Sequence, residues 1–151
     1  MTDEERNDRE AIRVLMARYN ISGDRGDIAG LVATFADDGE LRFDNETSRG
    51  RAAILSRLSG GGDSNPALTV SRHHLGTSLG EIAGDAATGR TYFHVLTDIG
   101  SDHHGVYVDH FRRVDGAWTI ARRDVRIDWQ SPQSLNRRFW VRRKPPAEQT
   151  A

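Results

Sequence analysis

The sequence predicts an α+β fold, and three observations carry the prediction. The first third of the chain repeats apolar residues at the spacing of a helix face. From Leu68 onward the period changes to two. The two patterns are segregated, helices first and an antiparallel sheet afterwards, which is the order of an α+β domain rather than of alternating βα units. A chain of 151 residues is long enough for one domain with its own core.

The elements follow in order. Asp3 can cap a first helix from about Glu4 to Ile21, with Ile12, Leu15, Met16 and Tyr19 on one buried face. Ser22-Gly23-Asp24-Arg25-Gly26-Asp27 ends it. Asp27 is read as the cap of a second, shorter helix holding Ile28, Leu31, Val32 and Phe35. Asp37-Asp38-Gly39 reads as a turn and Glu40–Phe43 as a short strand. Ser48–Ser59 reads as a third helix, with Ile54, Leu55 and Leu58 apolar. The loop Gly60–Pro66 is either a lid beside a site or a surface connection.

Strands are expected at Leu68–Ser78, at Glu81–Ala83 with Ala87–Thr97, at Gly105–Val114 and at Ala117–Trp129. Gly84-Asp85 and Asp115-Gly116 supply turns, the second being a hairpin signal. Residues 1–130 form the domain, and residues 131–151 a basic, partly flexible arm. In the arm, Arg137, Arg138, Arg142, Arg143 and Lys144 surround Phe139, Trp140 and Val141 before Pro145-Pro146. Two readings stand: aromatics packed on the body or on a neighbouring subunit, or an anion-binding arm.

Composition narrows function. Lysine and arginine number 21 against 22 acidic residues, so no global basic footprint for nucleic acid exists. The absence of cysteine excludes disulfides, thiolate metal sites and a cysteine nucleophile, and is consistent with a reducing compartment. Met1–Arg9 is charged rather than apolar, unlike a signal peptide, and no apolar run reaches membrane-spanning length. A cytoplasmic protein without membrane or nucleic-acid partners is the expectation.

The adjacent pair His73-His74 is the chemical focus. On a strand, neighbouring side chains alternate faces, so one imidazole points inward and the other outward. His103-His104, with Asp102, is expected in a surface loop Gly100–Gly105, where an adventitious metal is the alternative. Tyr107 and Asp109 share one strand face. Asp109 and Arg123 form either an internal ion pair or part of a pocket lining.

Several segments, in this order, resemble the SnoaL-like branch of the nuclear transport factor 2-like superfamily. They are Tyr19, Asp24–Asp27, Phe35–Asp38, Gly50–Ile54, His74–Thr77, Tyr107–Asp109, Arg113–Trp118, Arg123 and Asp128-Trp129. The resemblance covers roughly residues 5–130. It implies a cone-shaped, cystatin-like α+β roll: a curved sheet closed by three helices. Within the branch the chain looks most like scytalone dehydratase, bile-acid 7α-dehydratase and hexachlorocyclohexane dehydrochlorinase. There an aspartate at the end of the first helix orients a strand histidine that removes a proton from carbon. The resemblance carries these roles to Asp24 and His74, and a tyrosine role to Tyr19. It implies a homo-oligomer, with a trimer favoured and a dimer the alternative, and no metal and no organic cofactor.

The chemistry is coherent. A carboxylate accepting from one imidazole nitrogen fixes the tautomer and leaves the other nitrogen as base. Tyr19 either polarises a substrate carbonyl or is a core residue. His94 is a candidate acid for a leaving hydroxyl, and Tyr107 and Arg123 are candidate substrate-binding groups. His73 is expected to face away. The expected activity is that of a cofactor-independent, dehydratase-like lyase. Its substrate would be a small, mainly apolar alicyclic, steroid-like or polyketide-like molecule. An isomerase or polyketide cyclase can use the same pocket. A non-catalytic ligand-binding domain, or an assembly protein like the small subunit of ring-hydroxylating dioxygenases, is the alternative of another class.

Overall fold

The first helix, α1 (Asp3–Asp24), starts one residue earlier than expected because Thr2, not Asp3, caps it. The Thr2 hydroxyl accepts from the Glu5 amide at 3.1 Å, and Asp3, Glu4 and Glu5 complement the positive end of the helix dipole. The computed structural model describes residues 1–59 and 65–142. Gly60–Ser64 of the expected lid, and Arg143 to Pro146 of the arm, lie outside the described residues.

After a turn at Gly26 (φ 74°), Asp27 caps the short helix α2 (Ile28–Val32) as expected, accepting from the Gly30 amide at 2.9 Å. Phe35 is not in that helix. It opens strand β1 (Phe35–Phe43), because it pairs with Ile120 across the sheet. The Asp37–Gly39 turn is absorbed into β1 as a register shift between Phe35 and Glu40. Asp44 and Asn45 both take positive φ and make the tight hairpin to β2 (Glu46–Arg49). That pairing delays α3 to Arg51–Ser59.

Four long strands complete the chain: β3 (Ser71–Ala83), β4 (Ala86–Thr97), β5 (Gly100–Val114) and β6 (Ala117–Gln130). The turns fall at Gly84-Asp85 and Asp115-Gly116, as the sequence indicated. The stretch Gly100–Gly105 is strand rather than loop. The hairpin before it closes tightly at Asp98-Ile99, with Gly100 at φ 89°.

The sheet order is β2-β1-β6-β5-β4-β3. β1 and β6 run parallel; the other neighbours are antiparallel. The sheet is therefore mixed: its one parallel pair joins two strands far apart in sequence, and α3 and β3–β5 supply the crossover. Register shifts at Leu75/Ser78, Val95/Leu96, His104/Gly105 and His110/Phe111 add twist and bend the strands. One face of this curved sheet packs on the helices: Leu15, Met16 and Tyr19 of α1 share a core with Phe93, Val95, Phe111 and Ile120.

A fully buried ion pair lies inside this core. The Arg123 guanidinium donates through Nε and Nη2 to both carboxylate oxygens of Asp109, each at 2.8 Å. It also lies 4.2 Å from the Tyr19 ring centre and 3.9 Å from that of Tyr107. The two π faces partly replace solvent for a cation whose Nη1 has no hydrogen-bond partner.

The described part of the arm, residues 131–142, folds back onto the body. Phe139 packs at 5.3 Å from Phe43 and 4.9 Å from His103, and Val141 pairs with Ile127. Its arginines are used locally: Arg137 pairs with Asp44, and Arg138 donates to the carbonyls of Ser131 and Pro132. The anchor is Asp102. Its buried carboxylate accepts from Thr97 Oγ1, His103 Nδ1, Ser134 Oγ, the Leu135 amide and Asn136 Nδ2, at 2.6–3.1 Å. Burial alone would raise its pKa, but these donors hold it well below the usual carboxylate range. Burial pushes the His103 imidazole below its ordinary value, against the pull of Asp102.

Two outcomes follow. Asp109→Ala strands the Arg123 charge and should cost about 3–5 kcal/mol, read from urea unfolding. The second concerns acid. Both His103 and Asp102 have folded pKa values below their unfolded ones, so each adds stability above the unfolded pKa that is lost as pH falls. The urea midpoint should begin to drop below about pH 6.5, from His103, and drop again below about pH 4, from Asp102 together with Asp8, Asp24 and Asp98, whose carboxyls are also held below their ordinary range. His103→Gln should remove the first step and keep the second. A midpoint flat from pH 7 to 4 in the wild type contradicts this assignment.

Candidate functional site

The last residue of α1 meets the first turns of β3. Asp24 Oδ1 accepts from the His73 ring at Nδ1, 2.6 Å away, and Oδ2 accepts from the His73 backbone amide at 2.9 Å. The inward histidine is thus His73, and the expected pairing of Asp24 with His74 is corrected. The reason is the pleat: His73 and Leu75 lie on the helix side of β3, and His74 on the other.

The double contact has an electrostatic result. Burial pushes the Asp24 carboxyl up. The hydrogen bonds from the His73 ring and amide, with the charges of His73 and Arg72, outweigh this and keep it below its ordinary value. An ionised acceptor on Nδ1 means that Nδ1 carries the proton. In the neutral ring Nε2 is then the nitrogen without a proton.

α1 runs antiparallel to the edge strand β3 and is tied to it at both ends. At one end stands the Asp24–His73 contact. At the other, Arg9 Nη1 donates to the Gly80 carbonyl at 3.1 Å. Between the ties lies a cavity of about 630 Å³. Ile12, Met16 and Ile21 of α1, Leu75 and Leu79 of β3, and Phe111 make most of its wall. Asn20, Ser78 and Thr91 are its inner polar groups, and His73 stands in its lining. Arg9, Arg13 and Glu81 lie at the far end, beside Gly80.

The other expected site residues are distributed differently. Tyr19 is buried in the core between Phe35, Tyr107 and Arg123, with its pKa raised by burial, and is not part of the cavity wall. Tyr107 is equally buried; its hydroxyl donates to Asn20 Oδ1 at 3.0 Å and so orients a cavity-lining amide. Arg123 is committed to Asp109 and does not reach the cavity. His94 is opposite His74 in register and shares its outer face; its Nε2 lies 2.9 Å from Ser101 Oγ, on the far side of the sheet from His73.

A second inward histidine, His103, was expected in a surface loop and instead lies buried on β5. Its ring centre is 6.4 Å from that of His73 at a near-perpendicular angle, and the Phe93 ring centre lies 6.3 Å from each. The signal that marks it is strand parity: Asp109, Tyr107 and Gly105 share a face, and His103 continues it. Asp102, His103 and His104 do not converge on a metal, and among the described residues no three such side chains do. No helix among them is long and apolar enough to cross a membrane.

Comparison with known proteins agrees with this architecture. The family model of the SnoaL-like domain matches residues 4–124. A nuclear transport factor 2-like protein with a cystatin-like fold from Novosphingobium aromaticivorans is 32% identical. The match covers 82% of this chain and 84% of that one, with a TM-score of 0.73. A putative scytalone dehydratase from the same organism is 23% identical over 100% of both chains, with a TM-score of 0.77. The hexachlorocyclohexane dehydrochlorinase LinA-type3 of Novosphingobium barchaimii is 20% identical, over 86% of this chain and 93% of that one, with a TM-score of 0.71. The last two likenesses are of fold. A search of curated proteins found no match. The chain belongs to the SnoaL-like family.

Proposed function

We propose that the protein is a cofactor-independent lyase of the dehydratase kind, with His73 as its base and Asp24 as the group that orients it. The observation that carries this reading is the double hydrogen bond from His73 to Asp24 at the end of an apolar cavity. The dehydratase and dehydrochlorinase among its structural neighbours support the reaction class.

The substrate is a small, mainly apolar molecule with a hydroxyl β to a carbonyl, because the cavity offers apolar walls and few polar groups. His73 Nε2 removes the proton next to the carbonyl. The Asp24 carboxylate stabilises the imidazolium that forms. The electron pair left on carbon forms the new double bond as the β-hydroxyl departs. The same imidazolium returns its proton to that hydroxyl, so water leaves and His73 is regenerated. Asn20 is held by the Tyr107 hydroxyl at its side-chain oxygen and donates one amide hydrogen to the Met16 carbonyl; its second amide hydrogen is the donor for the substrate's carbonyl oxygen.

The test is a screen of β-hydroxy ketones and hydroxysteroid ketones with wild type, His73→Ala and His74→Ala in parallel. General-base catalysis is typically worth about 10²–10⁴-fold, so His73→Ala should lose that much turnover while His74→Ala stays near wild type. Asp24→Asn should lose rate without unfolding, because an amide cannot stabilise the imidazolium as a carboxylate does. Undiminished turnover in His73→Ala removes the base from the mechanism.

A further inference from the structure

The cavity wall holds more hydrogen-bonding capacity than the protein itself uses. Ser78 Oγ and Thr91 Oγ1 lie 2.7 Å apart in the lining, and neither hydroxyl has another hydrogen-bond partner among the described residues. Each hydroxyl carries one hydrogen, and the bond between them consumes one of the two. The second hydrogen finds no acceptor among those residues. Thr91 is only 2% exposed, and Leu75, Ile82 and Phe111 line the same cavity. A donor left unmet beside such walls is costly once solvent is displaced.

A bulge puts Ser78 in this position. Leu75 pairs with Phe93 and Ser78 with Thr91, so β3 spends one residue more than β4 between the two pairs. Without that extra residue, the alternation that turns His73 and Leu75 inward would send Ser78 to the outer face. The bulge returns it to the cavity side, and bulges recur where a side chain is re-aimed beside a site.

Register sets the distance from the base. His73 is opposite Val95, and Thr91 lies four residues along β4 from Val95, a rise of about 13 Å. Asn20, about one helical turn before Asp24, stays at the His73 end. The cavity thus has two separate unspent donors: the second amide hydrogen of Asn20 near the base, and one hydroxyl hydrogen of the Ser78–Thr91 pair remote from it.

On the lyase assignment of this cavity, on which the placement of the reacting carbon rests, we propose that Ser78 and Thr91 form a second recognition point. It takes an acceptor oxygen at the end of the substrate remote from the reacting carbonyl. The substrate is then a rigid, fused-ring molecule with an apolar frame on the order of 10 Å long and an oxygen function at each end. A flexible chain of that length would lose more conformational freedom on binding.

Equilibrium titration calorimetry tests this with two probes: a saturated steroid diketone with a carbonyl at each end of its frame, and the monoketone lacking one of them. Wild type should bind the diketone about five- to tenfold more tightly, the worth of one neutral hydrogen bond. Either hydroxyl alone keeps a hydrogen to donate, so the variant to compare is Ser78→Ala/Thr91→Val, with circular dichroism as the check on folding. It should lose the preference for the diketone and bind the monoketone within about threefold of wild type. His73→Ala should keep the preference, because the hydroxyl pair takes no part in proton transfer. Loss of the base from the mechanism and loss of this recognition point are therefore separate results. Equal affinity of wild type for the two ketones overturns the proposal, and this comparison stands whether or not the double variant folds. So does a wild type that binds neither ketone, or a folded double variant that still prefers the diketone.

Discussion

A strand cannot turn two neighbouring side chains the same way, and the rest of this molecule follows from that constraint acting on His73 and His74. One imidazole is delivered to Asp24 at the end of α1; the other joins a row of aromatic groups on the bare face of the sheet. The pleat is rigid here because β3 is pinned. Its inner register is held by β4, and the Asp24 carboxylate grips both the ring and the main chain of His73. A slip of one residue would exchange the two histidines and bring His74 to the carboxylate. It would also put Leu75 on the outer face, and the cavity would lose part of its apolar wall.

The buried charges divide into two kinds with different work. Arg123 and Asp109 neutralise each other completely between two tyrosine rings, far from any exit, and their effect is to hold α1 against β5 and β6. Asp24 and Asp102 each hold a histidine by Nδ1. They differ in what else they hold. Asp102 spends its remaining capacity on the arm, through Ser134, Leu135 and Asn136. Asp24 spends its on the backbone of His73 itself. The His103 imidazole is therefore a structural clamp sealed by Phe139, whereas the His73 imidazole keeps a side open to the cavity.

The class of fold was legible because its signals are local. Helical spacing in Ile12–Tyr19, the hairpin signal Asp115-Gly116 and the cap at Asp27 each depend on a few adjacent residues. The role of Asp24 as the partner of a strand histidine was legible through the family resemblance. Which histidine it meets was not, because strand parity is set by pairing with β4 and by a bulge between Leu75 and Ser78. The parallel pairing of β1 with β6 escaped for a similar reason: it joins residues some eighty positions apart, and only tertiary packing selects it. Phe35 illustrates the competition. Its spacing after Leu31 and Val32 suits a helix, yet the ladder with Ile120 takes it into a strand.

The alternation that separates the histidines continues through β4 and links the two faces. Thr91, Phe93 and Val95 point inward; Tyr92, His94 and Leu96 point outward between them. Phe93 stacks on Tyr107 at 4.5 Å, and Tyr107 in turn fixes Asn20 in the cavity. A displacement of Tyr92 or His94 therefore moves the same backbone that positions the cavity's polar amide. Close-packed interiors transmit such displacements rather than absorbing them. The strand that carries aromatic groups on the outer face is also the strand that holds the inner wall in register, so one set of backbone hydrogen bonds positions both faces.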